Sequence, residues 1–168
     1  VALDAATHTA VLMDKDFNVL RPAIYWTDTR SIDEVTYLKG AYGNLIKEQT
    51  LHTVDTIWTL PQLLWVKNHE PEIWSKVNKI VFAKDFVRHL LTGDYATDNI
   101  EAEGSMLFDY NRQCWSRELC DILELDVNTL PKVVAPGDKV GEITAAAAND
   151  TGLAEGTTVL CGTTDTAM

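Results

Sequence analysis

The chain has 168 residues, with 25 acidic against 14 basic side chains and a net charge of −11 at pH 7. That balance, with no basic cluster to offset it, argues against nucleic acid as a partner, because phosphate backbones are bound by fields of Lys and Arg. Apolar residues make up 46% and charged ones 23%, as in a globular domain that buries a core without staples, and no stretch approaches the ~20 apolar residues of a membrane span.

Three cysteines, Cys114, Cys120 and Cys161, are odd in number and lack CxxC spacing, so neither a disulfide framework nor a zinc site is indicated. The expectation is a reducing, cytoplasmic setting. The Asn149-Asp150-Thr151 sequon is idle there. No signal peptide is visible. The first residues, VALDAAT, begin inside an apolar strand-like run, and the sequence reads as a piece of a longer protein.

In chain order, TAVLMD (9–14) suits a strand, KDFN a turn and VLRPAIYW a return strand, so a hairpin is expected. Asp14, Asp16 and Asn18 mimic the start of a calcium loop. Val19 stands where that loop needs Gly and Tyr25 where it needs a bidentate Glu, so the turn is the better reading. Ser31 with Glu34 forms a capping-box pattern opening a helix through about Lys39. Thr59 with Gln62 repeats it ahead of a helix with Leu60, Leu63 and Leu64 on one face and Pro61 in its first turn. Ile80 to Phe82 reads as a strand, followed by a helix that Gly93 stops. Ser116 opens a helix carrying Leu119, Ile122 and Leu123. LPKVVAPGDKVGEI is strand-like between Pro and Gly. Thr144 caps an alanine-rich helix that ends at Gly152, and Val159 to Cys161 form a last apolar strand before Gly162. Strands at both ends around a helical middle suit an α/β fold with a helical insertion.

Several chemistries are excluded at the level of motifs. The sequence has no GxxxxGK[ST] loop, no GxGxxG fingerprint and no GxSxG elbow, and Pro71 after His69-Glu70 rules out an HExxH metal helix. His52, His69 and His89 are scattered and read as surface or helix-end residues. No metal-ligating set is expected. Three stretches stand out. Thr7 and His8 immediately precede a strand, although a lone His there is commonly structural. YWTDTRS places an aromatic, an acid and an arginine together, which also fits an Asp28–Arg30 surface pair with Trp26 in the core. GTTDTA follows a strand, where ligands bind in open α/β sheets. Gly162 permits close backbone approach to phosphate oxygens. Asp165 there either accepts a proton from an alcohol or caps a following helix.

Taken together, THTAVLMD, AIYWTDTR, WTLPQLLWVKNHEPEIW, KDFVRHLLTGDYATDNIEAEGSMLFDYNRQCWS and GTTDTA resemble, in order, segments of the FGGY family of carbohydrate kinases, its xylulokinases most closely. The resemblance implies an α/β, ribonuclease H-like and actin-like first lobe (the sugar kinase–Hsp70–actin fold) with a helical insertion, incomplete at both ends. Its parts would be a strand-hairpin region (1–30), a mainly helical insertion (about 31–130) and a return to the sheet (about 131–168). It implies ATP-dependent phosphorylation of a sugar hydroxyl, with ATP and Mg²⁺ acting in the full-length protein, and D-xylulose or another ketopentose as the sugar. Gluconate, a polyol, or a non-catalytic sugar-binding module on the same fold are the alternatives, and a homodimer stays open. Asp165 would be the general base. Thr7, His8, Trp58 and Thr166 would face the sugar, and Gly162, Thr163 and Thr164 would lie near the ATP phosphates. Gln62 replaces a signature lysine, Ile57 is atypical, Thr7 stands where xylulokinases have Met, and Thr166 where Asn or Gln is usual. The fragment alone, lacking the ATP-binding parts, is expected to be inactive.

Overall fold

The computed structural model describes residues 1–167. The first half of the chain forms β1 (Asp4–Ala5), β2 (Ala10–Met13), α1 (Ile32–Thr50), α2 (Thr59–His69), α3 (Pro71–Trp74), β3 (Lys79–Phe82) and α4 (Ala83–Thr92). It continues through β4 (Ala96–Asp98), α5 (Asn99–Gly104), β5 (Phe108–Asp109), β6 (Cys114–Trp115) and α6 (Arg117–Ile122). The last part holds β7 (Lys132–Val134), β8 (Lys139–Glu142), α7 (Ala145–Thr151), β9 (Thr158–Leu160) and β10 (Thr163–Thr164).

Distant strands meet. β2 runs antiparallel to β3, with Ala10 opposite Phe82 and Leu12 opposite Ile80. β4 lies parallel to β7, and β1 parallel to β10, with Asp4 opposite Thr163 and Ala5 opposite Thr164. β5–β6 and β8–β9 are antiparallel pairs. Because side chains alternate along a strand, the β2–β3 ladder feeds two clusters. Ala10, Leu12, Ile80 and Phe82 join the main core with α1, α2 and α6, while Val11, Met13 and Val81 pack under Phe17, Phe86 and Tyr95. A third cluster, Leu91, Ile143, Ala147 and Val159, seats α4 and α7 on the β8–β9 pair.

The structure departs from several local expectations. The predicted hairpin shrinks to one bridge, Met13 to Val19, because β2 takes β3 as its partner and Pro22 interrupts the return run with no N–H to donate. α1 does not stop near Lys39 but runs through Gly40 and Gly43 to Thr50, held by buried Val35, Leu38 and Ile46, and ends at left-handed Leu51. Neither capping box forms. Ser31 makes no cap bond, and Thr59 sits one residue inside α2. The caps at Ser116 and Thr144 do form, accepting from Leu119 and Ala147, and Gly93 and Gly152 close their helices in the left-handed region.

Candidate active site

Two segments far apart in sequence meet because β1 and β10 are parallel neighbours whose carboxyl ends open on the same edge. The ladder extends one residue past the strands, where the Asp165 amide donates to the Ala5 carbonyl at 3.1 Å. Just beyond lies a cavity of about 190 Å³ lined by Thr7, His8, Trp26, Ile57, Asp165 and Thr166.

The Asp165 side rests on a glycine. Gly162 has φ 73°, and a Cβ there would come 2.0 Å from the Leu3 carbonyl oxygen, so only glycine lets β10 enter beside β1. The Thr163 hydroxyl turns inward and donates to Asp98 Oδ1 at 3.0 Å. The Thr164 hydroxyl is also buried and pairs with the Thr166 hydroxyl at 3.2 Å. Gly162, Thr163 and Thr164 thus form the buried floor of the turn, while Asp165 and Thr166 are exposed on it. Residues 165–167 form a turn, and the Asp165 carboxylate accepts no hydrogen bond among the described residues.

The other wall is His8, held in a left-handed conformation at φ 61°. A non-glycine residue pays roughly 1–3 kcal/mol for that geometry, so it persists only where its surroundings hold it. Here both flanking peptide groups are tied. The His8 amide donates to Glu101 Oε1 at 2.6 Å, and its carbonyl accepts from the Thr59 hydroxyl at 2.9 Å. The failed cap at Thr59 therefore has a cause: its hydroxyl serves His8. The imidazole packs 4.7 Å from the Trp58 ring and against Gly104, where a Cβ would come 2.0 Å from Cε1. Burial first and His52 second, with Asp165 opposing, lower the His8 pKa to about 4, so the ring is neutral near pH 7. Its Nδ1 is buried without a partner. Burial pushes Glu101 up to about 8, against the His8 amide and Lys84, which favour the charged form.

Beneath the turn lies a charge cluster closed to solvent. Lys84 Nζ contacts Asp85 Oδ1 at 2.5 Å and Asp98 Oδ2 at 2.8 Å, and Arg88 Nη1 contacts Asp85 Oδ1 at 2.8 Å. Arg88 also donates to the carbonyls of Cys161 at 2.7 Å and Ala96 at 2.5 Å. Burial would lower the Lys84 pKa, but Asp85 and Asp98 outweigh it and the pKa is raised. The KDFVR and ATD stretches thereby anchor the chain on either side of Gly162. Cys161 sits in this interior, where burial pushes its thiol up to about 11.

Of the predicted residues, the structure brings Thr7, His8, Asp165 and Thr166 together around one cavity. Trp58 stands behind the imidazole, between His8 and His52 at 4.7 and 4.4 Å, and is not among the lining residues. The reading of YWTDTRS that puts Trp26 in the core does not hold, because Trp26 is 45% exposed and lines the cavity. The Tyr25–Asp28 turn that follows Ile24 swings it outward. The Asp28–Arg30 pair does form, at 2.8 Å. Sequence reasoning missed Ile57, Glu101 and Gly104. The one cue to the latter two was Asp98, a residue suited to cap the short helix that carries them.

Among the described residues, no group of three or more His, Cys, Asp or Glu side chains could hold a metal ion. No described helix is long and apolar enough to cross a membrane.

A family model for the FGGY family of carbohydrate kinases, N-terminal domain, matches residues 1–168. A xylulose kinase of Bacillus subtilis (strain 168) is 35% identical over 167 residues, covering 99% of this chain and 34% of the relative. The crystal structure of xylulose kinase from Rhodospirillum rubrum superposes with TM-score 0.94 at 26% identity, over 99% of this chain and 35% of that one. Gluconate kinase from Lactobacillus acidophilus matches with TM-score 0.91 at 25% identity, over 96% of this chain and 33% of that one. The chain thus spans about a third of the length of the relatives it matches.

Proposed function

The chain belongs to the FGGY family of carbohydrate kinases, with the actin-like, ribonuclease H-like fold of its structural neighbours, and from that premise we propose that it is the sugar-holding lobe of an ATP-dependent kinase for a ketopentose such as D-xylulose. The observation that carries this reading is the shared cavity, in which an exposed carboxylate, Asp165, and a neutral imidazole, His8, face one space.

In this mechanism the sugar lies against Trp26 and Ile57, whose apolar surfaces cover its carbon face. Thr7, His8 and Thr166 bond its hydroxyls, with Trp58 supporting the His8 ring from behind. With Nδ1 buried, the neutral imidazole presents Nε2 to the sugar, where it donates to or accepts from a hydroxyl according to its tautomer. Asp165 accepts a hydrogen bond from the reacting hydroxyl, aligns it, and takes its proton as the oxygen–phosphorus bond forms and the β–γ anhydride bond of ATP breaks, with ADP as the leaving group. A free aspartate is a weak base, but a loose phosphoryl-transfer transition state needs little early proton transfer, so orientation carries most of the effect.

ATP is the second substrate. Its terminal phosphate comes near the turn at Gly162, Thr163 and Thr164 from the exposed side that carries Asp165 and Thr166, since residues 162–164 are themselves buried and the Gly162 amide already donates to the Pro136 carbonyl at 3.0 Å. Bound with the nucleotide, Mg²⁺ would supply neutralisation of its phosphate charge. A single carboxylate at the cavity fits an ion that keeps waters and phosphate oxygens as its other ligands. The adenine site lies in the remainder of a longer, cytoplasmic polypeptide, so these 168 residues alone do not turn over ATP. The identity to xylulose kinases supports D-xylulose; the gluconate kinase likeness makes gluconate the second reading.

The test is ATP turnover by the full-length protein with D-xylulose, gluconate and glycerol. D-xylulose should give the highest kcat/KM. Preference for gluconate would replace the substrate, and no turnover with any sugar would refute the kinase reading in favour of a binding module.

A further inference from the structure

The short helix α5 touches both halves of the cavity. At its start Asp98 Oδ1 accepts from the amides of Ile100 and Glu101 at 3.0 and 3.1 Å and from the Thr163 hydroxyl at 3.0 Å, two residues before Asp165. One turn on, Glu101 accepts the His8 amide at 2.6 Å, and at the end Gly104 receives the His8 ring. The helix also packs on β10, β4 and β5. We propose that α5 is the spacer fixing how His8 and Asp165 face each other, with Glu101 and Gly104 positioning the His8 imidazole and Asp98 positioning the Asp165 turn through Thr163.

A carboxyl group 1% exposed is a costly way to stabilise a fold even when protonated, since an apolar side chain of that size would avoid desolvating its polar atoms. What Glu101 does that an apolar residue would not is hold the amide of a left-handed histidine. Gly104 likewise has a local reason: any side chain there would occupy the place of the imidazole.

The functional readouts rest on the kinase reading, so the test has two arms, both on the full-length protein. In the first, Gly104→Ala should raise the sugar KM about tenfold and change kcat by less than about threefold, because the displaced ring weakens ground-state binding. Thr163→Val, which keeps the shape and loses the bond to Asp98, should give the opposite split, with kcat down about tenfold and KM within about threefold. Thr163→Ser should restore it. In the second arm, ¹H–¹³C spectra of histidine-labelled protein follow the His8 ring without sugar or ATP. Its midpoint should move from about 4 toward 6.5 in Gly104→Ala and in Glu101→Leu, and stay in place in Glu101→Gln, which keeps an acceptor. Should Glu101→Leu fail to fold, Gly104→Ala decides. An unmoved His8 midpoint in Gly104→Ala, or equal effects on KM and kcat in both variants, would overturn the proposal. Absence of turnover in the wild type would refute the kinase reading while leaving the His8 titration to judge the spacer.

Discussion

Lys84 Nζ lies 2.8 Å from Asp98 Oδ2, and neither side chain reaches solvent. This pair joins α4 to the helix under the cavity. Desolvation of two charges is costly, so its net worth is small, but losing one partner leaves the other buried and unmatched. Lys84→Met should therefore destabilise by about 3–5 kcal/mol, read from denaturant midpoints. Adding Asp98→Asn should recover part of that loss, because the carboxylate stranded by the first change is gone. A strictly additive double variant would mean that the two charges do not depend on each other.

Gly162 sits at φ 73° with the Leu3 carbonyl 2.0 Å from where a Cβ would be. Gly162→Ala should cost at least ~1–2 kcal/mol from conformation alone, and more because β10 must withdraw from β1. Thermal unfolding should show a lower Tm. A Tm equal to wild type would show that the turn has another conformation available.

Glu101 holds its proton to about pH 8 against an ordinary 4.5. Between those values the folded chain keeps a proton that the unfolded chain has released. This group's stabilisation is therefore full below pH 4.5 and lost as pH rises through about 8. His8 runs the other way, with its contribution complete above 6.5 and lost as pH falls toward about 4. Above 6.5 only the Glu101 effect remains, so wild-type stability should decline toward pH 8, and Glu101→Gln should lack that decline. The integrated difference is on the order of a few kcal/mol. Urea midpoints across the range check it, and parallel curves for the two proteins would contradict the assignment.

What the sequence disclosed followed the range of the interaction. Gly93, Gly152, Ser116 and Thr144 act within one turn of their own helices, and each performs as its residue type implies. Ser31 and Thr59 carry the same local signal but do not cap: Ser31, at φ −86° and ψ 22°, lacks the extended backbone of a cap and its hydroxyl is buried without a partner, while Thr59 lies one residue inside its helix. The Thr59 hydroxyl reaches the His8 carbonyl, fifty-one residues away in sequence. The cavity was half legible. Thr7, His8, Asp165 and Thr166 could be named from motif order, whereas Glu101 and Gly104 matter only through the path of a histidine ninety-three residues from Glu101. Trp26 was misread because a tryptophan beside a strand is more often core, and only the turn after Ile24 reveals its exposure.

That exposure yields a prediction of its own. At 45% exposed, Trp26 contributes little to the core, so Trp26→Ala in the full-length protein should leave Tm nearly unchanged. Losing an aromatic wall should raise the sugar KM about tenfold, the effect of ~1.4 kcal/mol of binding. Steady-state kinetics beside a melting curve would separate the two, and an unchanged KM would remove Trp26 from the sugar site.

The most direct measurement compares sugar binding by calorimetry with phosphorylation rate in full-length Asp165→Asn. The amide keeps the size and an acceptor oxygen of the carboxylate but cannot take the proton. Turnover should fall by at least about a hundredfold, while the sugar Kd stays within about threefold of wild type. Phosphorylation at the normal rate would show that the carboxylate at the end of the β1–β10 ladder is not the base.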